Sequence, residues 1–293
     1  NSQVIAIFKD GKQIETADGM LQLVLDLTPF YAEMGGQIGD QGELTFDGMN
    51  FDVINTVKLP NGQHLQFVDM KQTTIKVGDS VAVSVNSEFR KAICQNHSAT
   101  HLLNEALRKV LGGHVLQQGS QVTNENLRFD FNHYESLTTK QILEIEKMVR
   151  DVIVKDYPVC IRETTLEEAK ALGAQALFGE KYGNIVRLVD MQFSKELCGG
   201  THVSNTAKIG LFKIEMETSV GSGVRRIEAV TNVRAYKALR KSEETLEEVG
   251  TVLKANDLNK IVEKAESTMT TLNAMKKEIE TLTSKLNALE AKN

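Results

Sequence analysis

The chain has 293 residues, 41% of them hydrophobic and 25% charged. This is the composition of a globular protein, with enough chain for about two domains and a sizeable core. A formal charge of −5 excludes a surface coated in cations for nucleic acid, although a local basic site remains compatible with it. Three cysteines (Cys94, Cys160 and Cys198) make no disulfide framework and point to a reducing, cytoplasmic setting. There is no signal peptide and no apolar run long enough to span a bilayer, so no membrane partner is expected. The first residue is Asn1 and strand-like sequence follows at once, which leads to the expectation that the sequence is a piece of a longer protein.

Residues 1–88 read as an all-β domain. Short β-prone runs occur at Val4–Phe8, Leu21–Leu25, Phe51–Ile54, Leu65–Val68 and Val81–Val85. Turn pairs separate them at Asp10-Gly11, Asp18-Gly19, Asp47-Gly48, Asn61-Gly62 and Gly78-Asp79. Strands at this spacing predict a small barrel. Within it lies Thr28-Pro-Phe-Tyr-Ala-Glu-Met-Gly-Gly-Gln-Ile-Gly-Asp40. Its glycines serve either as turn and bulge positions or as a place where backbone approaches a ligand closely.

Residues 89–232 read as mixed α and β. The run from His97 through Leu102, Leu103, Ala106, Leu107 and Val110 repeats at three and four, which predicts a helix. Gly112-Gly113 ends it, and Leu127–Phe131 alternates as a strand. A helix is expected over Thr139–Lys155, broken by Pro158. Next come a strand at Val159–Arg162, a short helix at Thr165–Ala171 capped by its threonine, and strands at Ile185–Val189, Gly210–Ile214 and Val224–Val230. His64, His114 and His133 are expected in turns or at the surface, and Cys94 and Cys160 as small core residues.

From residue 233 the chain turns helical. Leu258, Ile261, Ala265, Thr268, Leu272, Met275, Ile279, Leu282, Leu286 and Leu289 form a heptad seam. The seam either folds back on a helix over Ala235–Leu253 or pairs two copies of the chain through residues 257–293. Its balanced charges exclude a basic nucleic-acid arm. The expected fold class is therefore α+β: an N-terminal β-barrel, a mixed α/β domain and a C-terminal helical hairpin or coiled coil.

Two clusters carry the chemistry. His97 and His101, at i and i+4, lie on one face of the predicted helix. About a hundred residues later, Cys198-Gly-Gly-Thr-His202 adds a thiol and a third imidazole around two glycines that permit a tight turn. Three nitrogens and one sulfur suit tetrahedral Zn²⁺ better than calcium or magnesium, which take oxygen. A zinc peptidase is excluded, because its general-base glutamate would follow the first histidine and that position is Ser98.

Several dispersed stretches resemble the bacterial alanyl-tRNA synthetase family, specifically the part that follows its aminoacylation and tRNA-recognition domains. They are Thr28–Asp40, His97-Ser-Ala-Thr-His101, Gln117-Gln-Gly-Ser120, Leu127-Arg-Phe-Asp-Phe131, Ala176-Leu-Phe-Gly-Glu-Lys-Tyr-Gly183, Glu196-Leu-Cys-Gly-Gly-Thr-His202 and Gly223-Val-Arg-Arg-Ile-Glu-Ala-Val230. They run in family order, with Met34 and Gln175 as minor departures. The resemblance implies an editing domain at 89–232 that hydrolyses the ester of serine or glycine mistakenly joined to alanine tRNA. It also implies that the chain lacks the ATP-dependent charging core and does not itself aminoacylate. A pocket shaped for alanine rejects smaller or merely hydroxylated ligands poorly, so a second sieve is needed. That sieve hydrogen-bonds a hydroxyl that alanine lacks.

On this reading His97, His101, Cys198 and His202 hold zinc. Thr100, Gln117 and Gly199 are the substrate-binding candidates, and Gln117 beside the zinc is the best catalytic candidate, with no assured general base. Arg225, Arg226, Gly35 and Gly36 are candidates for tRNA contact. Successive strand residues face opposite ways, so one arginine is expected to reach phosphate and the other to form an internal ion pair. Three alternatives stay open: a free-standing trans-editing deacylase, a threonyl-type editing domain, and a coiled-coil interaction module with a structural zinc.

Overall fold

The computed structural model describes residues 1–175, 183–255 and 257–291. Nine strands come first: β1 (Ser2–Lys9), β2 (Lys12–Ile14), β3 (Thr16–Ala17), β4 (Met20–Leu25), β5 (Gly42–Phe46), β6 (Met49–Lys58), β7 (His64–Asp69), β8 (Ile75–Lys76) and β9 (Ser80–Val85). Six of them close a barrel in the order β1-β4-β7-β6-β5-β9, with β9 returning to β1 through Ser2–Val81 and Gln3–Ser80. Closure removes the open edges that such short strands would otherwise present. Alternation along the strands points Val4, Leu21, Leu23, Leu44, Val53 and Val68 inward.

The five β-prone runs all fall on barrel strands, whereas β5 was not expected. It begins with a glycine and offers only Leu44 and Phe46 as an apolar face, so its strand character comes from pairing with β6 and β9 on either side.

The chain then enters α1 (Ser87–Leu111), capped where the Asn86 side chain accepts from the Phe89 amide at 3.1 Å. This helix begins well before the histidines, so Cys94 lies on it, buried. After it come β10 (Gln117–Val122), β11 (Leu127–Asn132), α2 (Thr139–Val154), β12 (Cys160–Thr165), α3 (Leu166–Ala171), β13 (Ile185–Asp190), β14 (Lys195–Leu197), β15 (Phe212–Gly221) and β16 (Val224–Thr231). Antiparallel sheets form in the orders β10-β11-β16-β15 and β12-β13-β14. Leu102, Leu103 and Leu107 of α1 and Ile145 and Val149 of α2 share one core with Phe129 and Phe131 of β11 and Ile227 of β16. The expectation of a core position for Cys160 is corrected: it opens an exposed strand. Its partner β13 covers only one edge of that strand.

The Thr28–Asp40 segment leaves the barrel between β4 and β5 and reaches the mixed α/β region. Its base is held by Phe30 in the barrel core and by the buried Asp40 carboxylate. That carboxylate accepts from the Tyr31 amide at 2.6 Å and from the Arg90 guanidinium of α1. At the tip, Met34 and Gln37 bond back to each other across Gly35 and Gly36, both at positive φ. That is the two-residue hairpin turn glycine favours. The hairpin docks on β10, with the Val122 amide donating to Gly36 O at 2.8 Å and the Ile38 amide to Val122 O at 3.1 Å.

Residues 1–236 form one compact unit and residues 237–293 another. α4 (Asn232–Val252) leads into the second, whose main element is α5 (Ile261–Glu290). Ile261 is buried, but Leu272, Met275, Ile279, Leu282, Leu286 and Leu289 are exposed. Among the described residues no helix is long and apolar enough to cross a membrane. The stretch at 176–182 lies outside the described residues.

The shared core should dominate the stability of the first unit. Leu103 is fully buried, so Leu103→Ala should lower the unfolding free energy by about 2–5 kcal/mol. Guanidinium denaturation should show this as a lower midpoint with an unchanged slope.

Candidate metal centre

α1 presents His97 and His101 one turn apart, their rings nearly parallel at 11° and 5.2 Å between centroids. Both are buried. β14 delivers Cys198, whose amide donates to Arg187 O at 3.0 Å. The Arg187 guanidinium in turn donates to Cys198 O at 2.7 Å and Gly200 O at 2.9 Å, which clamps the Cys-Gly-Gly turn from outside. Gly200 is required sterically, because a Cβ there would fall on the His97 ring. His202 closes the group, its ring 4.5 Å from that of His97 and 5.0 Å from that of His101.

Cys198 Sγ lies 3.4 Å from Nε2 of both His97 and His202. One ligand atom from each of the four residues falls within 4.8 Å of all the others. The Nδ1 atoms face a second layer. His97 meets Gln37 Oε1 at 2.6 Å, His101 meets Glu196 Oε2 at 2.6 Å, and His202 meets Ser98 Oγ at 3.3 Å. Asn104 and Ser194 also donate to the other Glu196 oxygen, at 2.9 and 3.1 Å. The inward Nε2 of His101 is buried and has no hydrogen-bond partner. A buried polar atom without a partner is costly, and one aimed at a thiol and two more imidazoles fits a cation. These four side chains could hold a metal ion.

Charge favours the ligating form at Cys198 and His202, whereas His101 holds a proton that a metal would have to displace. Burial alone would push the Cys198 thiol up, but the imidazoles of His97 and His101 outweigh it and hold it well below the usual thiol range. Burial disfavours a protonated His101, yet Glu196 and then Cys198 reverse this and raise its proton affinity well above an ordinary imidazole's. His202 is driven down to about 3 by burial and by His97. Thiolate and neutral imidazole are the forms that ligate metal.

A cavity of about 430 Å³ opens beside the cluster, walled by His97, His101 and Cys198. Five residues expected from the sequence line it too: Thr100, Gln117, Gly35, Gly36 and Gly199. Thr100 Oγ1 donates to Asn96 O at 2.8 Å, so its hydroxyl proton is committed and its lone pairs face other groups. Gln117 Nε2 donates to Ser120 Oγ at 3.3 Å. Phe129 adds an apolar wall. A larger hollow of about 700 Å³ lies along the earlier turns of α1, by Arg90 and Cys94, and shares only His202 with the cluster.

Arg225 and Arg226 stand elsewhere, on β16, and both are paired. Arg225 Nε donates to Glu217 Oε1 at 2.5 Å, while Arg226 grips Asp130 with two bonds of 2.7 and 2.8 Å. Neither guanidinium meets phosphate without sharing it with a carboxylate. The other three histidines lie outside the centre. His114 Nε2 and His133 Nδ1 approach to 3.0 Å, and half-buried His64 lies 2.9 Å from Phe30 O.

Gln37 and Glu196 were missed as site residues. Gln37 stands in a run whose glycines, not its amide, draw the eye, sixty residues from His97. Glu196 offered a usable signal, because a carboxylate two residues before a candidate Cys ligand on a strand shares its face.

Comparison with known proteins agrees with the geometry. Residues 186–228 match the family described as the threonyl and alanyl tRNA synthetase second additional domain. Residues 1–89 match the class II (A) tRNA synthetases. An alanine–tRNA ligase of Bacillus mycoides is 43% identical over 295 aligned residues, covering 100% of this chain and 33% of the relative. That of Oceanobacillus iheyensis is 44% identical over 289 residues, covering 98% and 33%. That of Lactococcus lactis subsp. cremoris is 43% identical over 293, covering 99% and 34%. The chain thus spans about one third of the length of the curated relatives it matches. With that identity along its whole length, and with both matched regions drawn from tRNA synthetases, this chain belongs to the alanyl-tRNA synthetase family.

Proposed function

We propose that the chain is an editing module, a hydrolase that cleaves the ester between serine or glycine and the 3′ adenosine of alanine tRNA, with zinc at the four-residue cluster. The observation that carries this reading is the cavity of about 430 Å³ beside His97, His101 and Cys198, with Thr100 in its wall. With its own proton given to Asn96 O, the Thr100 hydroxyl accepts from the substrate. A seryl hydroxyl supplies that donor and an alanyl methyl does not, so the correct product leaves a polar group unpaired. Gln117 orients the aminoacyl carbonyl or the attacking water. Zinc, when bound, would supply Lewis-acid polarisation or a template for the amino group. Glu196, Gln37 and Ser98 hold the three imidazoles in place from behind.

The acceptor end enters past Gly35, Gly36 and Gly199, where the absence of side chains leaves backbone to line the opening. The buried Arg225 forms the internal ion pair with Glu217, and Arg226, half-buried while bound to Asp130, is the arginine that reaches a phosphate. This is a positioning role without base readout. The reaction belongs in the cytoplasm, where tRNA is charged.

The exposed seam of α5 supports a second element of the proposal, a homodimer through residues 257–293. Such a stripe gains by burial against its own copy.

Deacylation of seryl-, glycyl- and alanyl-tRNA, compared side by side, tests the site. Cys198→Ala and Gln117→His should each slow seryl-tRNA hydrolysis, the former by more than the ~10–100-fold typical of losing an outer partner. A chelator should abolish hydrolysis while circular dichroism stays native. Unchanged rates in the folded variants would remove the assignment, and unfolding on chelation would favour a purely structural metal. For the dimer, Leu272→Lys with Ile279→Lys should halve the mass seen by sedimentation equilibrium. A monomeric parent would refute the pairing.

A further inference from the structure

The observation that reaches furthest is the position of Gln37. It is fully buried, comes from the barrel segment, and ends against a metal-cluster histidine on another element. Its oxygen lies 2.9 Å from the Thr201 amide and 2.6 Å from His97 Nδ1, and its Nε2 lies 2.9 Å from Thr201 Oγ1. A backbone N–H only donates, so the atom facing Thr201 N must be the carbonyl oxygen of the side-chain amide. That fixes which way the amide points without reference to the histidine. The same oxygen cannot donate to a ring nitrogen, so His97 Nδ1 must carry the proton. Nε2, directed at Cys198 Sγ, is then left with its lone pair free to ligate.

The surroundings are built for this contact. Gly200 leaves the space in which the two groups meet, since a Cβ there would strike both the His97 ring and Gln37 Oε1. Gly35 and Gly36 make the turn that presents Gln37. Gly36 also lies so close to β10 that a Cβ would run into Ser120 O. The delivery therefore depends on both glycine positions.

We propose that Gln37 is a positioning residue that locks His97 in the Nδ1–H tautomer, so that the barrel segment sets the affinity and geometry of the metal centre in the neighbouring α/β region. This rests on the zinc reading given above, and it adds an outer partner contributed from outside the region that supplies the four ligands. Outer partners of metal-bound histidines typically govern metal affinity by ~10–100-fold.

The test uses the full chain loaded with Zn²⁺ or Co²⁺. Gln37→Leu should weaken Zn²⁺ in competition with a chromogenic chelator by ~10–100-fold and change the visible ligand-field bands of the Co²⁺ form. Gln37→Glu, which keeps both acceptor contacts, should restore affinity to within ~3-fold of the parent. Gly36→Ala, which keeps the Gln37 side chain but displaces the hairpin that presents it, should weaken the metal as well. If Gln37→Leu does not fold, the parent still decides the matter. A long-range ¹H–¹⁵N spectrum of the zinc form should show His97 protonated at Nδ1. Parent-like affinity and Co²⁺ spectrum in Gln37→Leu, or a His97 lacking that proton, would overturn the inference while leaving the zinc reading intact. A parent that binds neither ion would instead overturn the zinc reading itself.

Discussion

Three imidazoles and a thiol, with a ligand atom from each within 4.8 Å of all the others and His97 and His101 buried, constrain everything around them. Such a group is tolerable in a protein interior only if its outer polar atoms are satisfied and its inner ones share a positive charge. The outer atoms are satisfied by Gln37, Glu196 and Ser98, three side chains from three parts of the chain. The inner ones converge on a single point. Much of the local architecture follows from this demand: the long helix that buries two histidines, the arginine clamp on the Cys-Gly-Gly turn, and the glycines that permit close approach.

The fold serves the demand by bringing distant segments together. Helix α1 provides a rigid rail with a one-turn spacing. Strand β14 supplies an edge from which a tight turn projects a thiol. The barrel, a separate hydrophobic assembly with its own core, extends a hairpin across to complete the far side. The cavity is what remains between them. Thr100 and Gln117 in its walls are already held by hydrogen bonds to Asn96 O and Ser120 Oγ.

How much of this was readable beforehand depends on the range of the interaction. The gathering of His97, His101, Cys198 and His202 was legible because residues with unusual chemistry fell in two short clusters. The barrel strands were legible where apolar residues alternated between turn pairs, and β5 was not, because its identity comes from neighbours paired on both sides. Cys160 looked like a core residue by type alone, but it opens a strand whose outer edge is uncovered. Arg225 and Arg226 were each legible as cations, but only sheet register brings Asp130 opposite Arg226 and Glu217 diagonally beside Arg225. The role of Gln37 lay furthest from reach, because nothing within its own thirteen-residue segment announces a histidine on a distant helix.

The hairpin at Met34–Gln37 belongs to two cooperative assemblies at once, tied to barrel strand β6 through the Glu33 amide and Thr56 O and to the cluster through a buried amide. Anything that tightens one assembly must therefore tighten the other, since free-energy coupling between two sites is reciprocal. An ion captured at the cluster would be felt in strands that never touch it, as added resistance of the barrel to local opening. Loosening the barrel would, by the same coupling, release the ion.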